Sequence, residues 1–483
     1  MKIILRASAV LLIAALAVLL AAFAAEAAYR QVLRHRARRA AGPGAFELYA
    51  VGESSMKGLP FGKSAPDVAG EMLGGVLAGR PLRVINLAEG GNSVYPQAIK
   101  AIRTFKYRDK SAPAAVLIYA GHSEQMNAGL TYPRHLRLYE SFKEHALIHS
   151  LLFSKVVLRV ENYFSFHGVR DLAHYEFYLR AVLDAAVEAG AVPVIATLPS
   201  NLCGAEPGGA QASPELAASV GLELRGKYAE ALERYAGLLN RPAAASASYL
   251  RTYLEYRTGR CLQALGRPEA GAHLLAALET DPLQFRARPS QNALIRGLAA
   301  NYPVQLVDAE RLFARHSPGG LPGPGLFVDL MHPDETGYLL LARAFAEKLA
   351  ELFHDKLRKE IRDPAVFFEP PFSNFTVSGR ALKKTEAYTL AGTYLLWFAG
   401  GSAPLPDQLA LAERNFSKAI AAAPGNTLAR TGLRIVRISK KNGQAAPAEV
   451  AAWFRNQRPV FERLQPLTEE ELGSADAFLR KWE

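Results

Sequence analysis

An aspartate and a histidine three residues apart, Asp329 and His332, stand in "GLFVDLMHPDETGYLLLARAFAEKL" (325–349), where the strongly amphipathic run of a helix follows them. At that spacing the carboxylate can reach the imidazole, fix its tautomer and stabilise its cationic form, which prepares a histidine to act as general base towards a hydroxyl. Two hydroxyls stand far upstream in "YAVGESSMKG" (49–58), where Ser54 and Ser55 interrupt an apolar run. Either could be a nucleophile. Each of these residues also has a plainer use as a helix cap, so the choice depends on the elements that must bring residues 54 and 332 together.

Apolar, β-rich runs recur along the chain: "FELYAVG" (46–52), "LRVINLA" (82–88), "AAVLIYAG" (114–121), "VPVIATLP" (192–199) and "VQLVDAE" (304–310). Between them lie stretches with the length and period of crossover helices, such as "DVAGEMLGGVLAG" after the first run and "YEFYLRAVLDAAVEAG" before the fourth. Strands alternating with helices predict an α/β fold with a parallel sheet. Chemistry in such sheets collects at the carboxyl ends of the strands. The first three runs end there in "GESS", "EGGNS" and "GHSE", each polar and glycine-containing.

About a hundred residues separate the fourth run from the fifth, far too many for a structureless loop in a compact domain. Within them, "GKYAEALERYAGLL" (226–239) and "YRTGRCLQALGRPEAGAHLLAALETDP" (256–282) carry small and aromatic residues at helix-pair spacing, Ala231 four before Tyr235, with Gly266 at a turn. "LAERNFSKAIAAAPGN" (411–426) repeats the theme, with Ala412 four before Phe416 and Pro424 closing the unit. These segments resemble tetratricopeptide-like repeats, although the aromatic-to-glycine signature is incomplete and ordinary amphipathic hairpins explain them too. The resemblance implies a surface for a protein partner or for packing on the host domain.

The chain of 483 residues, half of them hydrophobic, is long enough for two or three units. Its net charge of +12 is diffuse apart from "RQVLRHRARRA" (30–40), and no aromatic-plus-basic module of a nucleic-acid binder occurs. The uncharged run from Ala7 to Ala25 has roughly the twenty residues that cross a bilayer. It is read as an uncleaved anchor; "AFAAEAAYR" also offers signal-peptidase sites, which would leave a secreted or periplasmic protein. Lys2 and Arg6 precede the span while five arginines follow it by residue 39, which by charge alone holds the body in the cytoplasm. The layout of one N-terminal hydrophobic segment before a long soluble body points instead to export. Cys203 and Cys261, the only cysteines, could pair in an oxidising compartment or stay as buried thiols, and no zinc or iron-sulfur spacing exists. His135, His145, His149, His167 and His174 form no recognisable metal set and read as surface or packing residues. No P-loop, dinucleotide fingerprint or Gly-x-Ser-x-Gly elbow is present, so no cofactor is expected and an α/β-hydrolase is disfavoured.

Taken in order, Gly-Glu-Ser after the first strand, a glycine pair after the second, Gly-His-Ser-Glu after the third and Asp-x-x-His before the last helix resemble the SGNH, or GDSL-like, hydrolase family. The resemblance covers roughly residues 45–200 and 280–352. It implies a flavodoxin-like three-layer α/β/α fold and a serine esterase or acyltransferase with Ser54 as nucleophile, Asp329 and His332 completing a triad, and Gly91 offering an oxyanion N–H. Glu53 replaces the family's Asp and Ser55 its Leu at little cost. In the third block, however, Ser123 stands where the family has an oxyanion-binding asparagine, a donor whose loss costs about 2–4 kcal/mol. Ser123 itself or Asn92 is then the substitute donor, and His122 a candidate for lining the site.

The organisation expected is an anchor or signal segment (1–28), a basic linker (29–44), the hydrolase domain in two parts (45–200 and 284–356), an inserted helical segment (201–283) and a C-terminal helical region (357–483). An acyl-ester substrate of an envelope polysaccharide or lipid fits the location; a catalytically impaired interaction protein is the alternative.

Overall fold

A computed structural model of the chain describes residues 2–40, 44–124, 134–164, 170–241, 248–283, 285–372, 382–398 and 403–483. The side chains of His135, His145, His149 and His167 lie outside the described residues.

The fold is mixed α/β. The strands are β1 (Phe46–Gly52), β2 (Val76–Leu77), β3 (Arg80–Asn86), β4 (Ala114–Tyr119), β5 (Ala191–Ala196) and β6 (Gln305–Val307). They form one six-stranded sheet in the order β2-β3-β1-β4-β5-β6, parallel throughout except for the antiparallel pair β2 and β3. β1 and β4 are buried along their whole length, as strands in a sheet covered on both faces should be; the one charge in them, Glu47 of β1, accepts a hydrogen bond from Tyr49 Oη at 2.8 Å and pairs with Arg108 at 3.4 Å. Phe46 and Tyr49, an odd number of residues apart, point to opposite faces. Phe46 meets Phe353 edge-on at 4.7 Å, just past the Glu335–Leu352 helix, and Tyr49 meets Phe105 of the Val94–Phe105 helix at 5.3 Å. Helices Ala65–Met72 and Glu335–Leu352 pack together, as do Val94–Phe105 and Leu172–Glu188.

One expected crossover helix is half as long as its pattern implied. In "DVAGEMLGGVLAG" the helix stops at Met72, because Gly74, Gly75 and Gly79 adopt positive φ and turn the chain into the β2–β3 hairpin.

The insertion folds as helices Pro214–Leu224, Tyr228–Leu239, Ser248–Ala264 and Ala270–Thr280, each packed on the next. Gly266 turns the last pair at a φ of +67°. Pro289–Asn301 then rejoins the sheet, packing on β5, β6 and Leu172–Glu188. In the C-terminal region Phe416 lies against Gly392 and Gly432 of the neighbouring helices, where an added Cβ would come within 2.8 and 2.4 Å of its ring. The insertion and the C-terminal region share one core: Ala403 and Leu405 join Leu216, Tyr235, Tyr253 and Cys261. A buried ion network crosses the same seam, with Arg257 2.7 Å from Glu206 and 2.9 Å from Asp407, and Arg260 2.9 Å from Asp407. Cys203 and Cys261 are both buried free thiols in separate clusters.

At the N-terminus, among the described residues, the segment Leu16–His35 of the Lys2–Ala40 helix is long and apolar enough to cross a membrane or to act as a signal sequence. Just past the uncharged run, Glu26 accepts hydrogen bonds from the N–H groups of Leu151 and Leu152 at 3.1 and 2.8 Å and from Ser150 Oγ at 3.0 Å. It thereby caps the Leu151–Phe164 helix of the body.

Candidate active site

β1 delivers Ser54 by a route open only to glycine at its end. A Cβ on Gly52 would stand 2.1 Å from the Tyr119 carbonyl oxygen at the end of β4. The chain then makes a single helical turn, Ser54–Lys57, closed by Gly58 at a φ of +96° with its N–H donated to the Ser54 carbonyl at 3.0 Å. Ser54 opens this turn, which leaves its own N–H without an intrahelical partner.

Asp329 and His332 sit in a loop pinched by the Val328 N–H bond to the His332 carbonyl (3.0 Å) and the Asp334 N–H bond to the Leu326 carbonyl (2.8 Å). They meet in this turn, not along a helix. Asp329 Oδ1 accepts the N–H groups of Met331 and His332 at 2.9 and 2.7 Å, the local bonding by which an aspartate shapes a turn. Its other oxygen, Oδ2, is 2.6 Å from His332 Nδ1, and His332 Nε2 is 2.7 Å from Ser54 Oγ. The first contact puts the proton on Nδ1, leaving Nε2 to accept from the serine. Ser54 and His332 keep 7% and 6% exposure while Asp329 has 1%, so the serine and imidazole border solvent and the carboxylate is sealed behind them. Burial pushes Asp329 up, but the neighbouring His332 and the N–H groups it accepts outweigh this and hold its carboxyl below the ordinary value.

Several supports hold this loop. Ser55, expected only to start the helix, reaches the Met331 carbonyl at 3.4 Å. Asn201, after β5, donates to the Asp329 carbonyl at 2.8 Å, and Asn415 of the Pro406–Ala422 helix donates to the Val328 carbonyl at 2.6 Å. Arg414 adds bonds to the Pro324 carbonyl and, at 3.2 Å, to Asp334. The C-terminal region is thus a prop for the Asp-x-x-His loop.

The other expected site residues fare unequally. Asn92 is not a donor aimed at Ser54: its amide is turned to Glu89 Oε2 at 3.0 Å on the surface. The Ser123 N–H is committed to Glu53 at 2.8 Å. His122 is buried and braces its neighbours. Its Nδ1 accepts the Ala287 N–H at 3.1 Å and its Nε2 faces Tyr119 Oη at 3.4 Å. Burial, then the nearby His332, pushes it down to about 3 and keeps it neutral. Gly91 lies at the rim with a φ of +76°, and the glycine against Ser54 is Gly90, whose Cβ position is 3.5 Å from the Ser54 Cβ. Among the described residues, the N–H groups of Ser54, Gly90 and Gly91 donate to no protein acceptor.

Two buried acids escaped the sequence reading. Glu53 accepts the Gly121 and Ser123 N–H groups at 2.6 and 2.8 Å, and Glu124 accepts the Val94 N–H at 2.6 Å. Burial raises Glu53 to about 7 against those N–H groups; burial and then the adjacent Glu53 raise Glu124 to about 8. A signal was present, since Glu53 directly follows β1 and Glu124 stands five residues past the end of β4, both in the polar strand-end segments. Together they tie the three strand-end loops to one another.

No protein-family model matches this chain, and no curated protein matches it.

Proposed function

We propose that the protein is a serine hydrolase of SGNH type, an esterase or O-acyltransferase working through an acyl-serine. The observation that carries this reading is the Ser54–His332–Asp329 relay, with contacts of 2.7 and 2.6 Å. In this scheme Ser54 Oγ attacks an ester carbonyl and His332 Nε2 takes its proton. Asp329, held ionised, balances the imidazolium that results. The N–H groups of Ser54 and of the Gly90–Gly91 turn stabilise the oxyanion. His332 then returns the proton to the leaving alcohol, and water or an acceptor hydroxyl releases the acyl group. The sheet order, with helices on both faces and Ser54 at the end of the central strand, is consistent with the flavodoxin-like arrangement of that family.

The location proposed is a membrane, with the body outside the cytoplasm and an ester of an envelope polysaccharide or lipid as substrate. The capping bonds of Glu26 favour a retained anchor over a cleaved signal, because cleavage after Ala25 or Ala28 would strip a cap or leave it at a frayed end. A second reading, an interaction protein on a decayed hydrolase frame, draws on the commitment of Ser123 to Glu53, which leaves the oxyanion to backbone donors alone.

A fluorophosphonate probe separates the two. The hydrolase labels at Ser54 and loses the label in Ser54→Ala; a wild-type protein that neither labels nor cleaves short acyl esters is the interaction protein.

A further inference from the structure

Glu140 and Glu144 stand four apart on the Arg134–His149 helix, and His174 and Tyr178 four apart on Leu172–Glu188, so each pair shares one helix face. The fold turns these faces towards each other. His174 Nδ1 is 3.8 Å from Glu144 Oε1 and 3.9 Å from Glu140 Oε1, and the donor atoms of the three residues all lie within 4.8 Å of one another. These gaps are too long for hydrogen bonds. They are slightly wider than about 3.3 Å, the separation of tetrahedral ligands each about 2.0 Å from a zinc ion, so small side-chain rotations would close them on a cation.

Independent of the acids, two polar atoms point to a ligand. His174 is 8% exposed and Tyr178 0%, yet among the described residues neither His174 Nδ1 nor the Tyr178 hydroxyl has a hydrogen-bond partner. Their rings are 4.8 Å apart, and the Tyr178 hydroxyl lies in the field of Glu144 and Glu140. Buried polar atoms are nearly always bonded. A cation ligated by the imidazole and carrying a water within reach of the phenol accounts for both atoms at once. Lys143 contributes an ammonium against Glu140 and, at 2.9 Å, against Glu161. Arg170 is a second positive charge that bears on His174, and the neighbouring Asp171 is paired to Arg137 at 3.3 Å.

We propose that Glu140, Glu144 and His174 bind a divalent transition-metal ion, zinc by preference, that fastens the Arg134–His149 helix to the core. One imidazole nitrogen with two carboxylates suits zinc and its first-row neighbours better than calcium or magnesium, which favour all-oxygen sets. The ion is structural and takes no part in ester chemistry. Its reach extends towards the candidate site through Tyr95, whose ring is 4.8 Å from that of Tyr178 and whose hydroxyl is bonded to Glu161 at 2.9 Å. Tyr95 stands near the start of the helix that follows the Gly90–Gly91 turn.

The test uses the full chain in detergent, stripped with a chelator and dialysed against zinc, with bound metal counted by mass spectrometry and site geometry followed by the visible absorption of added cobalt. Wild type should hold one zinc per chain and melt at a higher temperature with it. Glu144→Gln and His174→Gln should each weaken zinc binding at least tenfold and lose the cobalt bands, while His273→Gln, altering a histidine paired with Glu255 in the insertion, should change neither. Should His174→Gln not fold, Glu144→Gln at the 18% exposed rim decides. A wild type that holds no zinc or cobalt above background overturns the proposal, as does full binding by the folded variants or equal loss in His273→Gln. Fluorophosphonate labelling by wild type is a separate outcome, so the metal and hydrolase readings fail separately.

Discussion

Removing the Asn415 amide tests whether the C-terminal helices take part in the proposed chemistry or merely accompany it. Asn415 is 1% exposed and donates to the Val328 carbonyl at 2.6 Å, one peptide before Asp329. In Asn415→Ala no water can readily replace the donor, and a buried carbonyl left unpaired costs about 1–3 kcal/mol. For a chain of 483 residues, with about 2.1 cal/mol/K of unfolding entropy per residue, that is a fall of about 1–3 °C in Tm. The larger effect expected is on rate. Relaxation of the Val328 carbonyl shifts Asp329 against His332, and a displacement of about 1 Å in a catalytic constellation costs on the order of 100-fold. We expect fluorophosphonate labelling and kcat for a short acyl ester to fall about 10- to 100-fold at 25 °C, with KM nearly unchanged because Asn415 touches no reacting atom. Gln408→Ala is the control: its amide, in the same helix, bonds the Leu395 carbonyl instead of the loop, so it should lower Tm and spare the labelling rate. If Asn415→Ala lowers Tm but labels at the wild-type rate, the helical layer is a passenger and the positioning role is wrong.

Asp329→Asn should leave the fold intact yet reduce turnover by about 10³- to 10⁴-fold, because the amide favours the wrong imidazole tautomer; a loss below tenfold in ester hydrolysis would exclude the relay. The Glu53 and Glu124 carboxyls, held up to about 7 and about 8 in the fold from 4.5, contribute stability that is whole below the unfolded value and lost as pH rises through the folded ones. Tm should therefore decline between about pH 5 and pH 8, and Glu124→Gln should flatten that decline; an unchanged slope would separate the pair from the titration. Arg257→Met leaves Glu206 and Asp407 buried without their shared cation, and the urea midpoint should fall by the equivalent of about 3–5 kcal/mol; a midpoint within error of wild type would show that the network is not holding the seam.

The central strands were legible because burial on both faces demands mostly apolar runs, and β1 occupies the very residues that its run marks, Glu47 included. Ser54, Asp329 and His332 could be picked out by order along the chain, since strand ends converge in a parallel sheet whatever the intervening length. The donors around them could not. Gly91 and Asn92 sit one and two residues past Gly90, and only loop geometry decides which of these neighbours faces the serine. The β2–β3 hairpin was hidden because "LGGVLAG" continues the helical period that its glycines break. The Arg257–Asp407 seam joins polar residues 150 positions apart, a pairing with no periodic trace. His174, read as a surface or packing residue, is buried with its ring 4.8 Å from that of Tyr178, and the two acids that face it from another helix leave no trace along the chain.

The props of the Asp-x-x-His loop come from residues 414 and 415, and the seam that seats their helix needs Asp407. A ribosome making this chain finishes Ser54, His332 and Asp329 well before it reaches those residues. Through that interval the nascent protein holds every group of the proposed triad and lacks the brace that aligns them, so full activity under that proposal comes only with the last quarter of synthesis. If the body is threaded across a membrane as it is made, that delay keeps the serine idle on the near side and readies it only after most of the chain has passed.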